Sequence, residues 1–346
     1  MRRERRIDVL LATSVTVGVL GQWLVTSYVV MDGIHVASPL MDLPGWAPAT
    51  WLLQTLPVFF FASGYAHEQS SSAPRLRTML TFLLAWTAGA AVLSVNGFSL
   101  VTIGEFLGPA LQPLWFLVPY LLLTAIAPWL RRAVLRYGWT TALVPAVCVA
   151  LVDFVRFTWP SPGWLGYVNA VSAWAVPFLL GLAWRQGRVN GAWLLGAGGI
   201  LTGALVALGD YPTGMMDVPG APMSNVAPPT AALLAFGCAQ CGLAALAGDR
   251  LGRRAAGSRL TAVISDAAFP LYLWHLTALA LISLVTLRLG PIAGLTSPPT
   301  GVAWLALRLA WMPVCAMALI GLLVLARPPR PRRRLPAAAT CDALEE

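Results

Sequence analysis

Long apolar runs, separated by short polar segments, follow one another along almost the whole chain. The first run, 7–30, contains one charge, Asp8, and one amide, Gln22, and it follows an arginine-rich start. At about 1.5 Å of rise per residue, a helix of this length crosses a hydrocarbon core of roughly 30 Å. The run ends without the small-residue site of a cleaved signal peptide. It therefore predicts a retained membrane span that carries Gln22 in its outer half.

Further apolar runs predict further spans, at about 49–66, 77–95, 114–130, 139–155, 165–184, 191–209, 229–248, 260–284 and 301–326. The sequence thus predicts an all-α polytopic integral membrane protein of about ten transmembrane helices, with cytoplasmic N- and C-termini. The spans form one domain, 1–326, and the basic remainder, 327–346, is expected to be a disordered cytoplasmic tail.

The placement of arginine supports this topology. All 23 basic residues are arginine, and 20 of them lie in segments predicted to be inner; the others are Arg156, Arg288 and Arg308. Arginine prefers the cytoplasmic side, so this bias predicts a multi-pass protein of the plasma membrane in this orientation. A chain that is 58% hydrophobic and 11% charged is also too apolar for a soluble domain. Topology and contact with membrane lipid explain the net charge of +9, so no nucleic-acid partner is expected.

The predicted outer loops hold much of the glycine and proline. The loop 31–48 contains no Lys or Arg, and the loop 96–113 sets Glu105 among apolar residues that suit the membrane interface. The longest outer loop, 210–228, is too rich in Gly and Pro for regular helix, and loops of this length often carry binding function. Cys238-x-x-Cys241 lies in an apolar run without a second ligand pair, so no metal site and no disulfide framework are expected.

Three polar side chains inside the predicted spans are candidates for chemistry, because such groups are costly in a bilayer. Gln22 and Arg308 each lie roughly a third of the way in from the outer face, and His275 lies near mid-span. At these depths the three can share one cavity, and they are the predicted catalytic residues. A buried guanidinium needs an anion, which favours a functional Arg308. The alternative for His275 is a hydrogen-bonded histidine that packs helices together.

Four motifs, in order, resemble those of acyltransferase family 3, a family of integral-membrane acyltransferases. They are Pro57-Val-Phe-Phe-Phe-Ala-Ser-Gly-Tyr-Ala66, Leu114-Trp-Phe-Leu-Val-Pro-Tyr-Leu121, Val218-Pro-Gly-Ala-Pro222 with Ser224-Asn225, and Tyr272-Leu-Trp-His275. The third motif is similar to that of an actinobacterial-type branch of the family. Within these motifs, the residues expected to bind substrate are Tyr65, Trp115, Ser224, Asn225 and Tyr272.

The resemblance implies O-acylation. Members of the family move an acyl group, commonly acetyl, from cytoplasmic acyl-CoA to a hydroxyl of a cell-envelope glycan, a lipid or a glycoside. By resemblance, acyl-CoA is the co-substrate and no bound cofactor is expected. Arg75 and Arg77 at the inner face are candidates for holding the CoA phosphates, since arginine pairs well with phosphate. Charge topology is the simpler explanation for these two arginines.

The chain departs from the family pattern in its first helix. The family has an arginine and, after ten residues, a histidine regarded as catalytic, and these positions here hold Leu11 and Gln22. Acyl transfer to a hydroxyl needs a base, and an amide cannot titrate, although it can donate a hydrogen bond to the acyl carbonyl or orient the hydroxyl. Loss of the base should cost roughly 10²- to 10⁴-fold in rate unless another group replaces it. His275 is the best replacement, and His35 in the outer loop is a weaker one.

Two rival functions stay open. A catalytically silent family member would bind substrate or a partner, with Gln22 reduced to a hydrogen bond between helices. A small-molecule transporter would show paired broken helices in two related halves, and the sequence shows no such pair. Uptake without acyl-CoA consumption would favour transport, whereas glycan or CoA binding without either activity would favour the silent member.

Overall fold

The computed structural model describes residues 4–31, 33–66, 73–219, 221–254 and 259–326, so the predicted tail lies outside the described residues. Over these ranges the fold is a helical bundle with one two-stranded sheet. The α-helices are α1 (Arg5–Val25), α2 (Pro39–Asp42), α3 (Thr50–Leu53), α4 (Leu56–Ala66), α5 (Ala73–Val95), α6 (Leu100–Leu111), α7 (Leu114–Tyr137), α8 (Leu143–Thr158), α9 (Gly166–Arg185), α10 (Gly191–Leu208), α11 (Ala231–Arg254), α12 (Arg259–Asp266), α13 (Ala268–Thr286) and α14 (Gly301–Leu325). The strands are β1 (Ser27–Met31) and β2 (Gly33–Ala37).

The multi-pass architecture predicted from the apolar runs is confirmed in its coarse form. In the described part of the chain, 8 helical segments are long and apolar enough to cross a membrane. One of them, Leu100–Thr158, has 59 residues and contains α6, α7 and α8. A straight helix of that length would extend about 90 Å, so it cannot be one crossing. Gly138, with φ of +67°, ends α7 before α8 begins. The total of about ten spans and the orientation of the termini stay predictions.

The span predicted at 49–66 is interrupted between α3 and α4. Side chains satisfy the backbone groups that the interruption frees. Gln240 Nε2 donates to the carbonyl of Gln54 over 2.6 Å, and Gln54 Oε1 accepts from the N–H of Leu56 over 3.3 Å. Irregular backbone at membrane depth is tolerated where protein groups pair with it in this way. The interruption places Leu56, the first residue of α4, at the edge of a pocket.

The span predicted at 260–284 is also divided, into α12 and α13. The division falls at Ala267. Pro270 causes it, because proline has no N–H to donate to the carbonyl of Asp266 four residues earlier. The new helix carries Tyr272 and His275 in its first half.

The first helix is shorter than predicted, and the following loop is more regular. α1 ends at Val25, not at Val30, and β1 pairs antiparallel with β2 in a hairpin, with Val29 opposite His35. The β-branched residues of Ser27–Met31 suit a strand, and the Val30 N–H is bonded to the Thr296 carbonyl at 2.9 Å. We call the end of the bundle with this hairpin the hairpin end, and the end where α1 begins the N-terminal end.

The loop predicted at 96–113 contains a helix, α6, that packs against the hairpin. Glu105 Oε2 accepts a hydrogen bond from the Val36 N–H at 3.1 Å. The rings of Phe106 and Tyr28 lie 5.1 Å apart. By contrast, the described residues of the long loop 210–228 form no regular helix, as their Gly and Pro content predicted.

The core consists of the helices that also carry the site. α1, α9, α11 and α13 are more than half buried, whereas α5, α10 and α14 are mostly exposed and present apolar side chains that suit lipid. Two of the core helices, α4 and α9, approach closely at glycines. A Cβ at Gly64 would collide with the Phe178 carbonyl, and a Cβ at Gly181 would collide with the Phe61 carbonyl. Small residues permit this packing between membrane helices.

Candidate active site

A narrow pocket at the hairpin end brings together two of the three predicted catalytic residues. α1 supplies Gln22 and α13 supplies His275. The other lining residues are Leu56, Gln112, Pro113, Trp115, Phe116, Trp174, Val226, Tyr272 and Leu276. We call this space the Gln22 pocket. It has room for about one water molecule, so a lining side chain has to move when an acyl group and a hydroxyl bind together.

His275 is fully buried, and its two ring nitrogens differ. Nδ1 lies 2.6 Å from the carbonyl oxygen of Tyr272. A carbonyl only accepts, so Nδ1 carries the proton and Nε2 is the basic nitrogen of the neutral ring. Among the described residues, Nε2 is buried without a hydrogen-bond partner. The local fold therefore fixes a tautomer whose free nitrogen is an acceptor.

Gln22 lies next to this histidine through a shared neighbour. The side chains of Gln22 and Tyr272 line the same pocket. The ring of Tyr272 lies 4.8 Å from the imidazole of His275, centroid to centroid. Because three residues separate them in a helix, Tyr272 and His275 share a face of α13. The pocket thus presents an amide, a phenol and an unprotonated ring nitrogen together.

Arg308 lies behind the wall of the Gln22 pocket rather than in its lining. Its Nε donates to the carbonyl of Trp23 over 2.7 Å, and Nη1 donates to the carbonyl of Gly294 over 3.2 Å. Nη2 donates to the carbonyl of Thr26. The carbonyls of Trp23 and Thr26 end α1, where the helix dipole favours a cation. Backbone carbonyls therefore take the place of the anion that the sequence predicted as the partner of Arg308. The guanidinium also faces the Trp304 ring, 5.2 Å from its centroid.

Trp23, which Arg308 contacts, is also hydrogen-bonded to His275. The indole N–H of Trp23 donates to the backbone carbonyl of His275 over 2.9 Å. Arg308 holds the carbonyl of the same Trp23. α1, α13 and α14 are thereby fastened to one another beside the Gln22 pocket. The catalytic role predicted for Arg308 stays a prediction, and its contacts favour a positioning role.

The long loop contributes Val226 to the pocket, while its polar residues hold the loop together. Asn225 is fully buried and donates from Nδ2 to the carbonyls of Pro212 at 2.6 Å and Gly214 at 2.9 Å. Ser224 Oγ accepts from the N–H groups of Val226 and Ala227 at 3.1 and 3.2 Å. Substrate binding by Ser224 and Asn225 stays a prediction. Their observed contacts shape the segment that carries Val226.

Asp153 anchors the two ends of this loop. Its Oδ2 accepts from the Tyr211 hydroxyl at 3.2 Å and from the N–H of Ala231 at 2.7 Å. Burial, and then the Asp153 carboxylate, raise the pKa of Tyr211. Arg156, three residues after Asp153 on α8, forms a local pair with it, with Nη1 and Oδ1 3.4 Å apart. The carboxylate therefore ties α8, α11 and the loop together.

Of the other predicted substrate-binding residues, Trp115 and Tyr272 line the Gln22 pocket and Tyr65 does not. Tyr65 lies nine residues beyond Leu56 on α4, or about 13 Å along the helix. Its hydroxyl donates to Glu4, and both carboxylate oxygens lie at 2.9 Å. Tyr65 therefore belongs to the N-terminal end, away from His275.

A second cavity, of about 110 Å³, lies at the N-terminal end beside Tyr65. Arg131 and Arg185 line it, together with Gln186. The Arg185 guanidinium donates to the carbonyl of Tyr65 over 3.0 Å. We call this space the arginine pocket. Cationic side chains meet the interior of the bundle there.

Arg75 and Arg77, the predicted CoA-binding residues, begin α5 at the same end. The guanidinium of Arg75 lies 5.1 Å from the centroid of the Tyr120 ring, and Arg77 is exposed. Neither residue lines the arginine pocket. Their role in CoA binding stays a prediction.

A family model described as an acyltransferase domain, that of acyltransferase family 3, matches residues 20–327. The chain belongs to this family. Membership indicates an acyltransferase, and members are usually membrane O-acetyltransferases. The matched range includes Gln22, His275 and the whole Gln22 pocket. Comparisons with curated proteins and with solved structures found no match.

Aromatic rings connect the two ends of this acyltransferase. From Tyr120, beside Arg75, the ring centroids run to Phe59 at 5.3 Å, from there to Phe116 at 6.3 Å, and on to Tyr272 at 4.4 Å. We call Tyr120, Phe59, Phe116 and Tyr272 the aromatic column. The column fills the interior of the acyltransferase with buried aromatic rings between its charged end and the Gln22 pocket.

Sequence reasoning did not single out Trp174 or Gln112, which also line the pocket. Trp174 lies in the middle of α9, far from the membrane interfaces where tryptophan is usually enriched. That mid-span position was the available signal, because an indole N–H needs a partner when it is buried. Gln112 follows α6 in a predicted loop, and only the fold brings it to the site. In the described part of the chain, no group of three His, Cys, Asp or Glu residues could hold a metal ion.

Proposed function

We propose that this acyltransferase moves an acyl group, most simply acetyl, from acyl-CoA to a hydroxyl of a cell-envelope glycan, lipid or glycoside in the plasma membrane. The observation that carries the proposal is the tautomer of His275. Its Nδ1 is held by the Tyr272 carbonyl at 2.6 Å, and its basic Nε2 has no partner among the described residues. An imidazole arranged in this way is a general base for an O–H group.

His275 takes the role that the family histidine has at the position of Gln22. The acceptor oxygen attacks the thioester carbonyl carbon while its proton passes to Nε2 of His275. The C–S bond then breaks, and the thiolate of CoA takes up the proton from the imidazolium. The backbone carbonyl of Tyr272 stabilises the imidazolium through Nδ1–H. One residue therefore moves the proton from the nucleophile to the leaving group.

Gln22 orients the reactants and does not titrate. Its amide lies in the Gln22 pocket with Tyr272, and an amide in a site that excludes water is a strong hydrogen-bonding group. Arg308 keeps the end of α1 in place by holding the carbonyls of Trp23 and Thr26. We therefore assign Gln22 to substrate positioning and Arg308 to positioning of Gln22 and His275.

The donor enters from the N-terminal end in this proposal. Arg131 and Arg185 line the arginine pocket, and Arg75 lies at the start of the aromatic column. Guanidinium groups suit the phosphates of CoA. The aromatic column favours an uncharged acyl-bearing arm between these arginines and His275. The acceptor then reaches the Gln22 pocket from the hairpin end, past Gln112, Trp115 and Val226.

The test uses cells with and without the gene, complemented by the native chain or by His275→Ala. Mass spectrometry of envelope glycans, lipids and secreted glycosides should show an acyl mass increment that depends on the native chain. His275→Ala should reduce the acylated product by roughly 10²- to 10⁴-fold, because it removes the base. The variant has to remain in the membrane at the native level.

His35→Ala is the matched control, because His35 is exposed on β2 and does not line the pocket. It should leave acylation unchanged. Native acylation by His275→Ala would exclude His275 as the base. An absence of any gene-dependent product would favour the silent, substrate-binding member that Gln22 at the family histidine position also suggests.

A further inference from the structure

A second polar group in the Gln22 pocket is also buried without a partner. Trp174 of α9 is 1% exposed and lines the pocket with Gln22 and His275. Among the described residues, its Nε1–H has no hydrogen-bond acceptor. Two side chains that line this pocket thus carry unpaired groups, a donor on Trp174 and an acceptor on His275. Trp174 also borders a second small cavity, lined by Pro57 and Gly237 among others. Burying either group without a partner costs free energy.

The Trp174 ring is held in a fixed orientation. It stacks on the ring of Phe60 with centroids 5.0 Å apart and an angle of 12° between the planes. α4 carries Phe60, and the close approach of α4 to α9 at Gly64 and Gly181 brings the two rings together. Packing alone would be served equally well by an aromatic ring without an N–H. The retained donor is what packing does not explain.

We infer that the Nε1–H of Trp174 binds the carbonyl oxygen of the acyl group and stabilises the negative charge that develops on it. This inference rests on the proposed acyl transfer. When the acceptor oxygen attacks, the C=O π electrons move to the carbonyl oxygen, which becomes an oxyanion. Trp174 donates its hydrogen bond to that oxyanion while His275 holds the proton of the acceptor. As the C=O bond re-forms, the C–S bond breaks and the proton passes to the departing thiolate.

Donor and acceptor in one pocket match the two charges of this step. The proton on His275 creates a cation, and the carbonyl oxygen becomes an anion at the same time. A preorganised donor in a dry site stabilises such an anion without reorganisation. The amide of Gln22 lies in the same pocket and orients the reactants in the proposed function. The indole, whose N–H has no acceptor among the described residues, is the donor assigned to the carbonyl oxygen.

The experiment measures transfer from radiolabelled acetyl-CoA to the envelope fraction in membranes that contain the full chain. Trp174→Phe keeps the stack with Phe60 and removes the N–H. Because one oxyanion donor is lost, kcat should fall roughly 10²-fold, while KM for acetyl-CoA changes little. Replacement of Trp174 by benzothienylalanine, with sulfur in place of the N–H, should give the same loss in a chain of native shape.

Trp274→Phe is the matched control. Trp274 is also a buried tryptophan of the core with an unpaired Nε1–H, but it packs edge-on against Phe82 and does not line the Gln22 pocket. Its substitution should leave kcat unchanged. A benzothienylalanine protein with native kcat would overturn the role of Trp174 while the acyl transfer itself stands. If membranes with the native chain transfer no label, the proposed function and this inference are both wrong.

Discussion

At the scale of single residues, the polar groups of this acyltransferase divide into those that face substrate and those that hold the framework. His275 and Trp174 are buried with one unpaired nitrogen each among the described residues. Arg308, Asn225 and Asp153 are equally buried, but backbone groups or neighbouring side chains satisfy them. Burial marks both groups, and they are separated by their hydrogen-bond partners together with a place in the lining of the Gln22 pocket, since Trp274 is also unpaired but lies outside that lining.

Gln22 gives a prediction at this scale, because it occupies the family histidine position in the same pocket as His275. Introducing Gln22→His into the His275→Ala protein returns an imidazole to the Gln22 pocket. Acylation should recover by roughly 10-fold or more over His275→Ala alone. The measurement is the rate of acetyl transfer in membranes with equal amounts of each protein.

The same substitution in the native background serves as the control for folding. Gln22→His alone should retain activity, since His275 is still present. A double variant no more active than His275→Ala, beside an active Gln22→His protein, would show that an imidazole at position 22 does not reach the reacting hydroxyl.

At the scale of elements, the site depends on how closely α4 and α9 approach. Gly64 and Gly181 let each helix contact the backbone of the other. This contact sets the distance between Phe60 and Trp174 and so the place of the indole in the Gln22 pocket. The interruptions before α4 and α13 also shape the site. They determine where each of these helices begins, and so they position Leu56 and His275 in the lining of the pocket.

Gly181→Ala should separate these helices. The added methyl group collides with the carbonyl of Phe61, and overpacking of a close contact costs about 1–3 kcal/mol. The thermal unfolding temperature of the protein in detergent should therefore fall, and acyl transfer should weaken because Trp174 shifts.

Gly89→Ala on α5 is the matched control for this element. A Cβ there meets nothing within 4 Å, and alanine favours helix over glycine by up to about 1 kcal/mol. Its unfolding temperature should stay level or rise. Equal unfolding temperatures for Gly181→Ala and the native chain would show that the α4–α9 contact accommodates the added methyl group.

At the scale of the whole molecule, the bundle separates two chemically different ends. Arginines line a pocket at the N-terminal end. The Gln22 pocket and the long loop lie at the hairpin end. An acyl donor with phosphates suits the first end and an envelope acceptor suits the second, which is the arrangement that the arginine bias predicts for a protein with its N-terminus inside.

Paired cysteine substitutions test this orientation. Tyr137 and Trp159 are both exposed and lie at opposite ends of the segment that contains α8. In intact cells, a membrane-impermeant maleimide should label Trp159→Cys above the native background and should label Tyr137→Cys only after permeabilisation. The reverse pattern would invert the topology and place the arginine pocket outside the cell.

The sequence by itself determined the class of this protein, its family and four of the residues in the Gln22 pocket, Gln22, Trp115, Tyr272 and His275. Apolar runs of bilayer length need no tertiary contact to form helices, because every backbone group in lipid must be paired within the helix. Local spacing was also enough to set Tyr272 beside His275 on α13.

Only the tertiary structure decided which polar groups meet. Helix rotation and neighbour choice depend on side-chain packing between segments far apart in the chain, and residue counting does not fix them. Packing put Trp174 of α9 and Gln112 of the α6–α7 junction beside Gln22. It also gave the guanidinium of Arg308 to the carbonyls that end α1. The sequence chose residues that are costly to bury, and the fold determined which of them find partners in the protein and which are left for a substrate.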